Sequence, residues 1–174
     1  MISNEMANKI NHQINREIYS AYLYLSMAAY SYSVGLPGFA NWFNVQMQEE
    51  MYHAKRFYDY MNQQGQKVIL EAIEAPENDF ASAVGLFGKT LSHEKIVTSL
   101  IHGITALARK ENDFATEAFM QWFITEQVEE ESNAMEILQK LNMVGGKGEA
   151  LFLIDKELAT RVFVLPSWAA NPAN

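Results

Sequence analysis

The sequence contains no cysteine, and basic residues are scarce. Without cysteine the chain cannot form disulfides, iron–sulfur clusters or thiolate zinc sites, so oxygen and imidazole are the ligands left for any metal. Only 13 residues are Lys or Arg, against 21 Asp or Glu, and the net charge is −8. Because phosphate binding needs clustered basic residues, we expect no nucleic-acid partner, whereas cations are plausible ligands.

Long hydrophobic runs are also missing. No stretch of about 18 consecutive apolar residues is present, and the N-terminal segment MISNEMANKINHQ lacks the basic start and apolar run of a secretory signal. We therefore expect no membrane association and a cytoplasmic location. With 174 residues, 49% of them hydrophobic, the chain is long enough to bury one substantial core, and we predict a single domain over residues 1–174.

Apolar residues recur at three- and four-residue intervals along most of the chain, which predicts an all-α fold. Four of the helices are long, at about 30 residues and ~45 Å each, and the fifth is short. They are helix A over residues 4–33, B over 37–65, C over 82–110, D over 113–142 and E over 147–160, with a tail over 161–174. Short A–B and C–D links and a long irregular B–C link predict a four-helix bundle with one crossover.

A repeat of polar residues relates the A–B half of the chain to the C–D half. In each half, one glutamate lies on the first helix, and a pair of polar residues spaced i and i+3 lies on the second. Adding 77 to the numbers of Glu17, Glu50 and His53 gives the positions of Glu94, Gln127 and Glu130. This set matches the ligand pattern of a di-metal carboxylate site inside a four-helix bundle.

The residue types in this repeat favour iron. Two divalent ions held close together repel each other, and several carboxylates are needed to neutralise them in a bundle core. Imidazole adds affinity for iron over calcium or magnesium. Only the first half supplies a histidine, so we predict two unequal metal positions. Taken singly, glutamate pairs and E-x-x-H are usually solvated surface, and only the shared offset on four helices favours a metal site.

Four residues beside the repeat have two readings each. Glu49, Glu126 and Glu129 flank it on helices B and D, and they form either a third, more exposed cation site or a charged surface stripe. Tyr24 lies two helical turns after Glu17 on the same face. Its phenol either donates an electron to the metals or is an ordinary core tyrosine.

Trp122 and the remaining histidines lie off the ligand stripe. Trp122 precedes Gln127 by five residues, although an indole is large enough to pack beside the cluster. His12, His93 and His102 do not share the spacing of the repeat, and His93 points about 100° away from its neighbour around the helix. We assign these three histidines to the surface or to packing.

Four segments carry a family resemblance: NREIYSAYLY, QEEMYHAKRFYDY, HEK and QWFITEQVEEE, each of which contains residues of the repeat. In combination they resemble the non-haem bacterial ferritins, and the similarity extends from Asn4 to about Thr160. The segment GEALFLIDKEL is similar to the short fifth helix with which ferritins line the axes of their shell.

The resemblance implies a ferritin-like bundle that assembles into a homo-oligomeric shell of twenty-four subunits. Such a shell would oxidise Fe²⁺ with O₂ or hydrogen peroxide at a ferroxidase centre within each subunit and store Fe³⁺ as a mineral. The implied centre comprises Glu17, Glu50, His53, Glu94 and Gln127, with Glu130 on the second metal. A third iron site is implied at Glu49, Glu126, Glu129 and Glu130. Tyr24 matches the tyrosine beside the centre.

Haem is not expected. Met51 occupies a place comparable to the haem-ligating methionine of bacterioferritins, which have an E-x-x-H pair in both halves. Here the second pair is Gln127 and Glu130, which favours the non-haem type. The resemblance gives no expectation for the segment after Thr160, whose apolar residues Phe163, Leu165 and Trp168 either pack against a neighbour or line the shell interior or a pore.

Three other functions compete with iron storage. The main alternative is a di-iron oxidase or peroxidase that acts on a small molecule, since other ferritin-like bundles do so. No extra domain or rubredoxin-like cysteine supports it. A metal-free scaffold would leave the repeated ligand set unexplained. The DNA-coating mini-ferritins bind iron between subunits, whereas this sequence has a complete set in one chain.

Overall fold

A computed structural model describes residues 1–165, and these residues form five helices. The helices are α1 Asn4–Ser33, α2 Pro37–Gln63, α3 Ala83–Glu111, α4 Phe114–Met143 and α5 Gly148–Leu158. The predicted all-α bundle with a short fifth helix is confirmed. The second helix ends two residues earlier than predicted, because Gly65 adopts a left-handed conformation with φ of 67°. Trp168 lies outside the described residues. No helix within residues 1–165 has the length and apolar character needed to cross a membrane.

Local signals in the sequence set where the long helices begin. The side chains of Ser3, Ser82 and Asp113 each accept a hydrogen bond of 3.0 Å from a backbone N–H in the first turn of α1, α3 and α4. Such caps satisfy one of the free donors at a helix start. Pro37 takes the first position of α2, where no backbone donor is required.

The link between α2 and α3 runs along the outside of α1. Asn11 accepts a hydrogen bond of 2.9 Å from the backbone N–H of Ile69, and Asn15 donates one of 3.1 Å to the carbonyl of Ala72. Further on, Ser26 donates to the carbonyl of Glu77 over 2.7 Å. The link therefore runs in the same direction as α1, so α3 starts at the end where α1 stops. This is the predicted crossover.

Two apolar clusters fill the bundle, one on each side of a buried polar layer. The first contains Met6, Ile10, Phe57, Ile101 and Met120, and the second contains Leu23, Phe39, Phe43, Phe87 and Leu141. Burial of these large side chains stabilises the fold by about 1.5–3 kcal/mol each. The polar layer between them is held rigidly, because every helix that supplies a polar residue is packed above and below it.

The fifth helix is attached to the start of α2. The backbone carbonyl oxygen of Asp155 lies only 1.7 Å from where a Cβ at Gly38 would be, so no side chain fits there. The buried carboxylate of Asp155 accepts a hydrogen bond of 3.0 Å from the backbone N–H of Phe39. A negative charge at a helix N-terminus is favourable, and it satisfies a donor that Leu36 leaves without a side-chain cap.

Candidate metal centre

The polar layer brings together the six residues of the sequence repeat. They come from all four long helices, and each is 5% exposed or less: Glu17, Glu50, His53, Glu94, Gln127 and Glu130. Carboxylates are rarely buried to this extent unless a cation or hydrogen bonds compensate for the lost water. The 77-residue offset therefore identified one spatial cluster.

The first half of the cluster has ligand atoms without partners. One ligand atom from each of Glu17, Glu50 and His53 lies within 4.8 Å of the other two. Within the described residues, no donor lies within hydrogen-bond distance of Oε2 of Glu17 or Oε2 of Glu50. Nδ1 of His53 is 3.6 Å from Oε2 of Glu50, and Oε1 of Glu17 accepts a hydrogen bond of 2.8 Å from Gln13. Two buried carboxylate oxygens without donors need a proton or a metal ion to stabilise them.

The pKa values of these carboxyls reflect this shortage of positive charge. Burial raises the pKa of Glu17 well above its ordinary range, and the nearby charge of Glu50 raises it further. Burial also raises the pKa of Glu50 and, together with the charges of Glu94 and Glu50, that of Glu130. The raised pKa values favour the protonated carboxyls in the metal-free protein, and a bound cation would displace such protons.

The second half is organised around Glu94. Its carboxylate accepts hydrogen bonds from the hydroxyl of Tyr24 and from the side-chain amide of Gln127, the latter over 3.2 Å. Burial raises the pKa of Glu94 to about 7, even though both donors favour its ionised form. Burial and the charge of Glu94 also raise the pKa of the Tyr24 phenol well above its ordinary range. Tyr24 is thus a neutral phenol in direct contact with the cluster.

His53 lies between two groups of carboxylates. Its Nδ1 is 3.6 Å from Glu50, and its Nε2 is 3.8 Å from Glu126. Burial by itself lowers the pKa of His53, but these carboxylates outweigh that effect and raise it well above the ordinary value. A second group with ligand atoms within 4.8 Å comprises His53, Glu126 and Glu130. Glu126, which was expected in the third site, therefore also lies next to the buried residues His53 and Glu130.

The third group of carboxylates is more exposed. Glu49 and Glu126 have side-chain exposures of 21% and 26%, and Glu129 is exposed. Burial raises the pKa of Glu49, while the positive charge of Arg161 opposes that change and the charges of Glu126 and Glu129 reinforce it. Arg161 donates to Glu49 over 2.6 Å. The guanidinium of Arg161 therefore already neutralises part of the negative charge of this group.

The aromatic neighbours pack as the sequence suggested. The ring of Trp122 lies edge-on to His53 with centroids 5.4 Å apart, and the guanidinium of Arg56 stacks 3.9 Å from the centre of the indole.

His93 is buried and shares a hydrogen bond of 2.8 Å with the hydroxyl of Ser20. Burial lowers the pKa of His93 to about 4, so it remains neutral. His12 and His102 are exposed.

Three residues of the site were not anticipated. Gln13 and Gln46 each lie four residues before a repeat glutamate, on the same helix face, and that spacing would have identified them. Gln46 donates a hydrogen bond of 2.6 Å to Oε2 of Glu130. Arg161 follows α5, and no periodicity connects it with the cluster. Only the return of the chain onto α2 brings it there.

Known proteins resemble this chain over nearly its whole length. A model of the ferritin-like domain matches residues 7–144. The bacterial non-heme ferritin of Staphylococcus epidermidis is 40% identical over 163 residues, which are 94% of this chain and 98% of that protein. The counterpart from Staphylococcus aureus is 38% identical over the same share of both chains.

Solved ferritin structures share the fold. An Archaeoglobus fulgidus ferritin engineered into a closed form superposes with a TM-score of 0.92 and 47% identity, over 94% of this chain and 100% of that one. The open pore ferritin of the same archaeon gives a TM-score of 0.92 and 47% identity over 93% and 100%. These matches support a role in iron storage. The chain belongs to the ferritin family.

Proposed function

We propose that this protein stores iron in the cytoplasm by oxidising Fe²⁺ at the buried cluster and retaining Fe³⁺ as a mineral inside a shell of identical subunits. The observation that carries the proposal is the pair of donor-less carboxylate oxygens on Glu17 and Glu50, beside the imidazole of His53. Hydrogen bonds alone would leave this arrangement short of positive charge. Bound Fe²⁺ would supply it, and the mixture of imidazole and carboxylate suits that ion.

Iron is the substrate here, and the residues of the cluster bind it and release or accept protons. The first Fe²⁺ would be held by Glu17, Glu50 and His53, and the second by Glu94, Gln127 and Glu130, with Glu50 between them. Binding releases protons from carboxyls whose pKa is raised. Two Fe²⁺ then give one electron each to O₂, which takes two protons to become hydrogen peroxide. Hydrogen peroxide as oxidant would take the same two electrons together with two protons and yield two molecules of water.

The second position is proposed to be the weaker one. Gln127 has a neutral amide where the other half of the repeat has a carboxylate, and its amide nitrogen already donates to Glu94 and to the hydroxyl of Thr98. Glu130 is similarly engaged by Gln46. A metal that binds there must displace more hydrogen bonds than one that binds beside Glu17. Such a position suits iron that passes through to the mineral.

Tyr24 is proposed as an additional electron donor. Its hydroxyl contacts Glu94, so the phenol is one carboxylate away from the second metal position. When the phenol gives up an electron, Glu94 is placed to receive the phenolic proton. Glu49, Glu126 and Glu129, together with Glu130, are proposed to hold a third, transient iron between the two buried metal positions and the bulk solvent.

A shell is proposed because the chain exposes large apolar side chains that a monomer would leave in water. Tyr22, Tyr32, Ile69 and Leu70 are each about half exposed or more. Leu70 also lines one surface groove with the partly exposed Met51 and Tyr58, and a contiguous apolar surface of this kind usually marks an interaction site. Met51 is 46% exposed and lies in a surface groove with Tyr58 and Leu70, outside the carboxylate cluster. We assign it to an interface.

One measurement distinguishes storage from small-molecule oxidation. Fe²⁺ is added in air to the purified protein, and particle size and retained iron per subunit are measured together. A large particle that holds a great excess of iron over its binding sites is expected. A small oligomer that turns iron over but keeps only about two ions per subunit, as a two-metal site allows, would instead indicate a di-iron oxidase.

A double variant tests the site itself. His53→Ala combined with Glu94→Ala removes one ligand from each half, and rapid Fe²⁺ oxidation should be lost while the shell still forms. The control is Glu5→Ala with His12→Ala, which removes the same residue types from exposed positions on α1. Wild-type initial rates in the His53 and Glu94 variant would disprove the assignment.

A further inference from the structure

Arg161 connects the end of the fifth helix to the carboxylate cluster. Its guanidinium donates to Oε2 of Glu49 over 2.6 Å and to Oε1 of Gln46 over 2.7 Å. The guanidinium carbon also lies 4.4 Å from the ring centre of Trp42. Two charge-assisted hydrogen bonds and an aromatic face fix this side chain more firmly than an ordinary surface ion pair.

The backbone around Arg161 is held as well. The side-chain amide of Asn41 donates to the carbonyls of Leu158, Ala159 and Arg161 over 3.2, 3.3 and 2.9 Å. The carbonyl of Leu158 also accepts a hydrogen bond of 3.3 Å from the backbone N–H of Arg161, so the chain just after α5 is held from both sides. Because Asn41 lies on α2, the same helix that carries Glu49, the position of the guanidinium is set relative to the carboxylate.

Gln46 transmits the effect of Arg161 to the buried cluster. Its carbonyl oxygen accepts from Arg161, so its amide nitrogen must face the other way, where it donates to Oε2 of Glu130 over 2.6 Å. Arg161 thereby donates directly to one partly exposed carboxylate, that of Glu49, and orients the donor that contacts a buried one, that of Glu130. Both carboxylates belong to the proposed third iron site.

We propose that the guanidinium of Arg161 competes with iron for Glu49 and keeps the third cation site weak. This inference rests on the proposed function. An ion that takes Oε2 of Glu49 as a ligand must displace the guanidinium, so the charge of one cation replaces that of another. Iron at this position exchanges readily for that reason, whereas within residues 1–165 no guanidinium occupies Oε2 of Glu17 or Oε2 of Glu50, where the first ion is proposed to bind.

The test is calorimetric titration of Fe²⁺ into the metal-free assembled protein without oxygen, for wild type and Arg161→Gln. Arg161→Gln should leave the first ion, held by Glu17, Glu50 and His53, unchanged and bind the third about fivefold more tightly, since a partly exposed ion pair contributes on this scale. A merely structural role for Arg161 predicts the opposite, because a loosened α5 would weaken binding. Unchanged or weaker third-ion binding in Arg161→Gln therefore disproves the proposal.

Two further variants complete the test. Lys140→Gln removes the same charge and breaks ion pairs of 2.7 and 2.9 Å with Glu157 and Glu136, without contacting Glu49, and should bind the third ion like wild type. Equal tightening in Lys140→Gln would mean that net charge alone is responsible. Arg161→Lys keeps the charge, and its affinity for the third ion should lie between those of wild type and Arg161→Gln. This variant also provides the test if Arg161→Gln fails to assemble. If wild type itself binds no ions, the proposed function fails instead.

Discussion

The side-chain amide of Gln127 donates hydrogen bonds to both the backbone carbonyl and the carboxylate of Glu94, each over 3.2 Å. The amide thus favours the ionised form of Glu94 without adding negative charge. In Gln127→Glu a second carboxylate would replace this donor, and the metal-free cluster would be less stable. A cation would gain a charged ligand in return. We expect the second Fe²⁺ to bind about tenfold more tightly and to exchange more slowly.

Anaerobic calorimetry with Fe²⁺ measures this change, because the first ion should bind as in wild type. The matched control is Gln121→Glu, which adds the same charge to an exposed position of α4. If Gln127→Glu binds the second ion with wild-type affinity, Gln127 does not set the difference between the two positions.

Glu94 makes the stability of the metal-free protein depend on pH. Burial raises its pKa in the folded protein to about 7, above the ordinary value of 4.5. A group with a raised pKa stabilises the fold fully below its unfolded pKa, and this contribution is lost as the pH rises through about 7. The loss is at most about 3 kcal/mol per subunit. The melting temperature of the metal-free protein should therefore fall between about pH 5 and 8.

Glu94→Gln tests this effect, because glutamine cannot ionise. Differential scanning calorimetry of the metal-free variant should show a smaller decrease in melting temperature over the same pH range and a higher value near pH 8. Glu136→Gln, at a carboxylate with 64% side-chain exposure, should follow wild type. An identical pH dependence in Glu94→Gln and wild type would show that Glu94 is not the group responsible.

The sequence predicted the helices and the buried polar cluster for different physical reasons. Helices α1 to α4 are long, and their apolar residues recur with the helical period throughout. An error of a few residues at a boundary therefore does not change the assignment of the helix. The cluster followed from matching positions in the two halves, because equal spacing on paired helices places Glu17 and Glu94 at the same depth. Gln46 lies on the same helix face, four residues before Glu50. It was not predicted as part of the site, because glutamine is common on helix surfaces.

Contacts that form only when the end of the chain packs back onto an earlier helix could not be predicted from the sequence. Arg161 reaches Glu49 only because α5 packs on the start of α2, and that packing depends on the space left by Gly38. A single glycine in a helix is usually a weak signal. The position of Glu126 next to His53 was missed for a related reason. Spacing gives the helix face of Glu126, whereas the direction of its side chain depends on the neighbouring helix.

Tyr24→Phe should remove the proposed electron donor while preserving the core. The ring would still stack on Phe43, whose centroid is 6.0 Å away. Loss of the hydroxyl removes a hydrogen bond that lowers the pKa of Glu94, so protons should compete more strongly with iron below about pH 7. Freeze-quench EPR during aerobic Fe²⁺ oxidation should show a tyrosyl radical in wild type that is absent from the variant. Tyr30→Phe is the control, and a radical that persists in Tyr24→Phe would exclude Tyr24 as its source.

Gly38→Ala should detach α5 from the bundle. A Cβ at this position would lie 1.7 Å from the carbonyl oxygen of Asp155, which is backbone and cannot rotate away. Undocking would also remove the hydrogen bond from the N–H of Phe39 to the Asp155 carboxylate and would carry Arg161 away from Glu49. We expect destabilisation of about 2–4 kcal/mol and faster amide exchange over residues 148–161.

Hydrogen exchange monitored by mass spectrometry, together with thermal melting, measures both consequences. Gly88→Ala supplies the comparison, because a Cβ there meets no atom within 4 Å and the residue lies inside α3. Alanine in a helix interior is favoured over glycine by about 1 kcal/mol, so that variant should be as stable as wild type or slightly more so. Equal stability of the two alanine variants would mean that α5 does not need the close approach at Gly38. The third Fe²⁺ should then also bind as in wild type, since Arg161 would remain in place.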